Sequence, residues 1–109
     1  MNFKAYQEDA WSTAIYPNKG NNWVYPALKL AGEAGEVAEK FGKIIRDQNG
    51  IVHGENRTAI AKELGDVLWY VAAICTELDL DMDQVAQWNI QKLKSRQERD
   101  QIKGSGDER

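Results

Sequence analysis

Apolar residues recur at helical spacing through most of this chain. Phe3, Tyr6, Ala10 and Ala14, with Trp11 beside them, mark one side of a first helix predicted from about Phe3 to Tyr16, and Asn2 is placed to cap it. Pro17-Asn18-Lys19-Gly20-Asn21-Asn22 is a loop by composition. Pro26 suits the first turn of a second helix, where its missing N–H does no harm, and Leu30, Ala34, Val37, Phe41 and Ile44 form that helix's apolar stripe. The helix is expected to reach Asp47 or Gln48 and to stop at Asn49-Gly50.

Ile51 to Arg57 connects to a third helix predicted from about Thr58 to Leu78, with a stripe of Ile60, Leu64, Val67, Val71, Ile74 and Leu78. Asp81 is placed to cap a fourth, with Gln84 at the capping-box position; it continues through Val85, Ala86, Ile90 and Leu93 to near Arg99. Nothing reads as a strand. The pattern predicts an all-α protein, a four-helix bundle-like protomer over residues 1–103, and a flexible tail over Gly104–Arg109.

Four carboxylates break this pattern in the same way on two helices. On a wheel of about 100° per residue, Glu33 lies roughly 70° and Glu36 roughly 130° from the centre of the second helix's stripe. Glu63 and Asp66 take nearly the same offsets, on the same side, in the third. Packed through their stripes, the two helices would bring both pairs to one edge, where the anions repel unless a cation sits among them. Oxygen donors without histidine or thiolate favour Mg²⁺ or Mn²⁺ over zinc, and Mg²⁺ readily shares its coordination with a substrate's phosphates. Gly32, Gly35 and Gly65 lie inside the two motifs, each at about 1 kcal/mol of helix stability relative to Ala, which suggests close approach or room for a ligand. Solvated helix faces also carry such acidic pairs, so the matched offsets on two helices carry the reading.

Composition narrows the chemistry. The 109 residues are the size of one domain, and a net charge of −3 argues against a dedicated nucleic-acid binder. No apolar run approaches the roughly 20 residues that cross a bilayer, and Met1-Asn2-Phe3-Lys4 does not resemble a secretory leader. One cysteine, Cys75, allows no internal disulfide; it falls on an apolar side and reads as an inert core thiol. A cytoplasmic protein is expected.

The fourth helix complements the carboxylates. Asn89, Lys92, Arg96 and Arg99 share a stripe whose amide and cations suit phosphate oxygens, or simply face solvent. Lys29, Lys40 and Lys43 lie near Glu33 and Glu36, as ion-pair partners (Glu36 to Lys40 is i,i+4) or phosphate contacts. Tyr70 borders the carboxylate side of the third helix, and Tyr16, Trp23 and Tyr25 precede the first pair. These rings suit either core packing or stacking on a nucleobase. His53 lies in the connecting loop and is expected to be exposed.

Tyr25-Pro26-Ala27-Leu28 through Gly32-Glu33-Ala34-Gly35-Glu36-Val37-Ala38-Glu39-Lys40, followed by Lys62-Glu63-Leu64-Gly65-Asp66-Val67-Leu68-Trp69-Tyr70, resembles the MazG-like nucleoside triphosphate pyrophosphohydrolases. That family's signature is E-x-x-E, a spacer, then E-x-x-D, matched here at Glu33, Glu36, Glu63 and Asp66. Asn89-x-x-Lys92-Leu93-x-x-Arg96 and the closing Gly104–Arg109 also look like short, single-domain members. The resemblance implies hydrolysis of a (deoxy)nucleoside triphosphate to monophosphate and pyrophosphate, with Mg²⁺, or Mn²⁺ in its place, held by the four carboxylates. Glu36 or Glu63 would orient or deprotonate the water, Lys92 and Arg96 would hold phosphates, and Asn89 a phosphate or sugar oxygen. It further implies a homo-oligomer, a dimer or dimer of dimers, with sites built from more than one subunit. A related all-α dUTPase or phosphoribosyl-ATP pyrophosphatase, or a non-catalytic helical binding module, remains open, as does the base. A di-iron bundle is disfavoured because it normally uses E-x-x-H pairs.

Overall fold

Four helices and no strand make up the protein, in a computed structural model that describes residues 1–109: α1 (Phe3–Ser12), α2 (Val24–Asp47), α3 (Gly54–Glu77) and α4 (Met82–Glu98). Asn2 caps α1 as expected, its Oδ1 accepting from the Ala5 N–H at 2.7 Å. The helix ends at Ser12 rather than near Tyr16. Thr13 closes it, donating through its hydroxyl to the Ala10 carbonyl. Ala14 and Tyr16 then leave the helix axis to bury themselves against α3. Pro26 sits in the first turn of α2, and that helix stops at Asn49 and Gly50, both at positive φ.

α3 begins at Gly54, about a turn earlier than the pattern predicts. The Asn56 side chain accepts from the His53 N–H at 2.9 Å and so stabilises a start there. Asp81 caps α4, but its side chain accepts from the Asp83 N–H (2.9 Å). The Asp83 carboxylate turns back to accept from the Phe3 N–H at 3.1 Å, tying α4 to the start of α1.

α2 and α3 pack as an antiparallel hairpin. α1 lies on α3, and α4 packs chiefly on α1. Ala10, Ala72, Cys75 and Met82 form one buried cluster, and Ala14, Tyr16 and Ala73 another; the small side chains let α1 approach α3 closely. Cys75 is buried there, as expected, and burial pushes its thiol pKa up. Gln7 staples α1 to the α3–α4 turn. Its amide donates to the Thr76 hydroxyl (3.1 Å) and the Leu80 carbonyl (2.8 Å), and its oxygen accepts from the Met82 N–H (2.9 Å).

One chain therefore does not close a four-helix bundle around a common core. Only 11 residues are buried, and the radius of gyration is 16.7 Å. A compact chain of this length would have about 13 Å. The apolar surface of α2 is wider than α3 alone can cover. Pro26, Val37 and Ile44 turn toward the interior, while Ala34 and Phe41, from the same predicted stripe, stay exposed beside Ala31, Ala38 and Ile45.

Residues 104–109 fold back along α4. The buried Arg96 donates to the Asp107 carbonyl at 2.7 Å, Lys92 pairs with the Asp107 carboxylate at 3.1 Å, and Arg99 donates to the Arg109 carbonyl at 2.8 Å. Gly104 and Gly106, at φ of 129° and 85°, make the reversal possible.

Candidate metal centre and active site

The antiparallel register of α2 and α3 brings Glu33, Glu63 and Asp66 together. Each offers one carboxylate oxygen, and these oxygens lie within 4.8 Å of one another. Because the covered side of α2 centres near Val37 and Ile44, Glu33 faces straight into the hairpin seam. Three residues on, the helix has advanced about 4.5 Å and turned about 300°. Glu36 is therefore carried outward; its side chain is exposed and stands outside the trio.

Electrostatics fit a cation. Burial raises the Glu33 pKa first, and a hydrogen bond with Glu63, then the Asp66 and Glu63 charges, raise it further; Lys29 opposes them. Without a cation, this neighbourhood favours a proton on Glu33. Lys40, expected to pair with Glu36, reaches across the seam to Glu63 at 3.7 Å, and Lys43 pairs with Glu39 at 3.2 Å. One lysine ion pair, Lys40 to Glu63, with Lys29 acting on Glu33, leaves three carboxylates under-neutralised. Three hard oxygen donors with neither imidazole nor thiolate suit Mg²⁺ or Mn²⁺. Adding Mg²⁺ at ten times its dissociation constant is expected to raise the melting temperature of the metal-free protein by roughly 5 °C. An unchanged melting temperature would count against a preformed centre.

An aromatic wall adjoins the carboxylates. Tyr70 is half-buried; burial first, then Tyr25, Glu33 and Asp66, raises its pKa. Tyr25 stacks on Tyr16 with centroids 5.2 Å apart and meets Tyr70 edge-on at 6.5 Å. Trp69 meets Tyr70 at 4.9 Å, and its indole N–H donates to Thr13 Oγ1 at 2.9 Å. Trp23 stands at the start of α2, 58% exposed.

Residues 26–99, well over half of the chain, match the family model described as the MazG nucleotide pyrophosphohydrolase domain. The chain belongs to that family. It is also 46% identical to the Gene 37 protein of Mycobacterium phage L5 over 114 residues, covering 100% of both chains. No solved structure matches it. The carboxylate cluster lies within the matched residues, at the seam of the two helices that carry the E-x-x-E and E-x-x-D motifs. No helix is long and apolar enough to cross a membrane.

The α4 residues stand apart from this cluster. Asn89 is exposed, Lys92 and Arg96 are engaged by Asp107, and none of their hydrogen bonds or ion pairs reaches α2 or α3. Two participants escaped the sequence reading. Asp107, in the segment expected to be a flexible tail, gathers the α4 cations. Glu77, which the sequence pattern does not single out, is enclosed by the α1–α2 loop. The spacing held a signal for it: Glu63, Tyr70 and Glu77 recur every seven residues, which puts all three on one stripe of α3.

Proposed function

We propose that the protein hydrolyses (deoxy)nucleoside triphosphates to the nucleoside monophosphate and pyrophosphate, with Mg²⁺ as cofactor. The observation that carries this reading is the Glu33, Glu63 and Asp66 cluster at the seam of a MazG nucleotide pyrophosphohydrolase domain. These three residues would hold the ion, with Glu36 beside them. When bound, Mg²⁺ neutralises phosphate charge and makes the α-phosphorus open to attack. A carboxylate oxygen of Glu36 or Glu63 orients the attacking water and takes its proton. The exposure of Glu36 favours it for that work, since it is not committed to the trio.

Tyr25, Tyr70 and Trp23 offer aromatic faces and a hydroxyl to the nucleoside. Lys92, Arg96 and Asn89 suit the phosphates, and the Asp107 carboxylate that Lys92 and Arg96 already bind supports their reading as an anion-holding pair. No hydrogen bond or ion pair links them to the carboxylate cluster of their own chain, and a second copy would present them to it. The uncovered apolar face of α2 and α3 supports a homo-oligomer, a dimer or dimer of dimers, that would do so. The catalytic domain spans residues 1–103, with residues 104–109 as its closing segment.

The test is a substrate panel. Purified protein is offered each canonical (d)NTP, dUTP and phosphoribosyl-ATP with Mg²⁺, and pyrophosphate release is followed with and without a chelator. Chelator-sensitive release from one or more (d)NTPs supports the proposal. Turnover of dUTP alone or phosphoribosyl-ATP alone moves the protein to a sister activity, and no turnover of any nucleotide overturns the enzymatic reading.

A further inference from the structure

Glu77 closes the aromatic side of the site with an arrangement that a surface glutamate does not need. Its Oε2 accepts from the Tyr16 hydroxyl and from the Gly20 N–H at 2.8 Å, and its Oε1 accepts from the Asn22 N–H at 2.9 Å. The carboxylate thus gathers the whole segment that leads into α2. Asn22 passes the constraint on: its side-chain oxygen accepts from the Tyr25 N–H (3.1 Å), while its amide donates to the Pro17 carbonyl (2.8 Å). Tyr16, tethered at its hydroxyl, is the ring on which Tyr25 stacks, and Tyr25 meets Tyr70 beside Glu33 and Asp66.

We infer that Glu77 is a positioning residue for the nucleobase: it sets how tightly the base is held, through Tyr16, Asn22 and Tyr25, without touching substrate. The inference rests on the proposed reading that this site binds nucleoside triphosphates. The same side chain is poorly placed for helix stability, since it is an anion in the last turn of α3, where the helix dipole disfavours negative charge. Burial alone would raise its pKa; the hydrogen bonds from Tyr16, Asn22 and Gly20 together outweigh that and hold it below the ordinary glutamate value. A full charge at that end of α3 therefore serves the loop rather than the helix.

Glu77→Gln preserves size but cannot satisfy three donors with a single amide oxygen, so the loop and Tyr25 loosen. KM for the preferred (d)NTP should rise about tenfold while kcat changes by less than about twofold. Tyr16→Phe, which keeps the stacked ring and removes one donor, should move KM in the same direction by less. An abasic deoxyribose triphosphate should show the same KM with wild type and both variants, because it has no base for the wall to hold. Binding of the deoxynucleoside monophosphate, followed by tryptophan fluorescence in the presence of a chelator, gives a readout that needs no turnover, and Glu77→Gln should weaken it about tenfold as well. Unchanged KM and unchanged monophosphate affinity overturn the inference, as does an equal loss on the abasic substrate, which marks general damage. A wild-type protein that binds the monophosphate more tightly than Glu77→Gln but hydrolyses nothing sinks the proposed reaction and leaves the role of Glu77 standing. A wild-type protein that binds no nucleotide overturns both.

Discussion

Asp66→Asn is expected to lower kcat/KM for triphosphate hydrolysis by about a hundred- to a thousandfold and to leave the helical circular-dichroism spectrum unchanged. The substitution is isosteric and its site is exposed, so no core contact is lost. What is lost is one of three carboxylates whose oxygens converge within 4.8 Å. The metal-free variant should be at least as stable as wild type, because one anion fewer repels Glu33 and Glu63. The melting-temperature rise with Mg²⁺ should shrink or vanish. Together the two readouts separate a ligand from a base. Glu36→Gln, altering a residue outside the trio, should abolish turnover yet keep the Mg²⁺-dependent stabilisation. If Asp66→Asn retained activity within about tenfold of wild type, the trio would not be the centre of the chemistry.

The second large effect concerns the face that one chain leaves open. Leu64→Glu is expected to convert the proposed oligomer to a monomer, read by light scattering after gel filtration, and to remove most of the activity. Leu64 is 52% exposed and lines an apolar groove with Phe41, Val52 and Ile60; Ile45, farther along α2, is 70% exposed. The chain presents 7834 Å² to solvent, where a compact protein of its mass presents about 6,100 Å². The excess exceeds the roughly 800 Å² that each partner buries in a standard interface. A carboxylate in such an interface would be buried without a partner, which disfavours association strongly. Within its own chain Leu64 is already half in water, so the helical content should survive. Activity is expected to fall because Lys92, Arg96 and Asn89 contact neither α2 nor α3 of their own chain through any hydrogen bond or ion pair. A monomeric Leu64→Glu protein with full activity would mean that one chain completes the site alone.

Much of the architecture could be read from the residues in order. The apolar spacing located all four helices, Asn2 and Asp81 were legible as caps, and Asn49-Gly50 as a stop, because these features act over one turn of chain. The errors at the start of α3 and the end of α1 have local causes of another kind. Asn56 can reach back to the His53 backbone, and Tyr16 leaves the helix to meet Glu77, 61 residues away. The second of these is invisible to any window that slides along the sequence. The widths of the apolar stripes misled in the same way. Leu30 to Ile44 reads as one face, but only its Val37 and Ile44 side meets α3, and the rotation that follows is what draws Glu33 inward and leaves Glu36 out.

The sequence by itself determined the candidate donors: four carboxylates at matched offsets on two helices, with no histidine or thiolate near them, a set that suits a hard divalent cation. Residue type and helical period suffice for that, since both are carried by neighbours in the chain. Only the tertiary structure decided which of the four converge, that Lys40 answers Glu63 rather than Glu36, and that Glu77 holds the loop bearing the aromatic wall. Those outcomes depend on the rotation and register of one helix against another. They are set by the packing of α2 on α3 and of Tyr16 and the 17–22 loop on the end of α3, contacts between residues far apart in the chain.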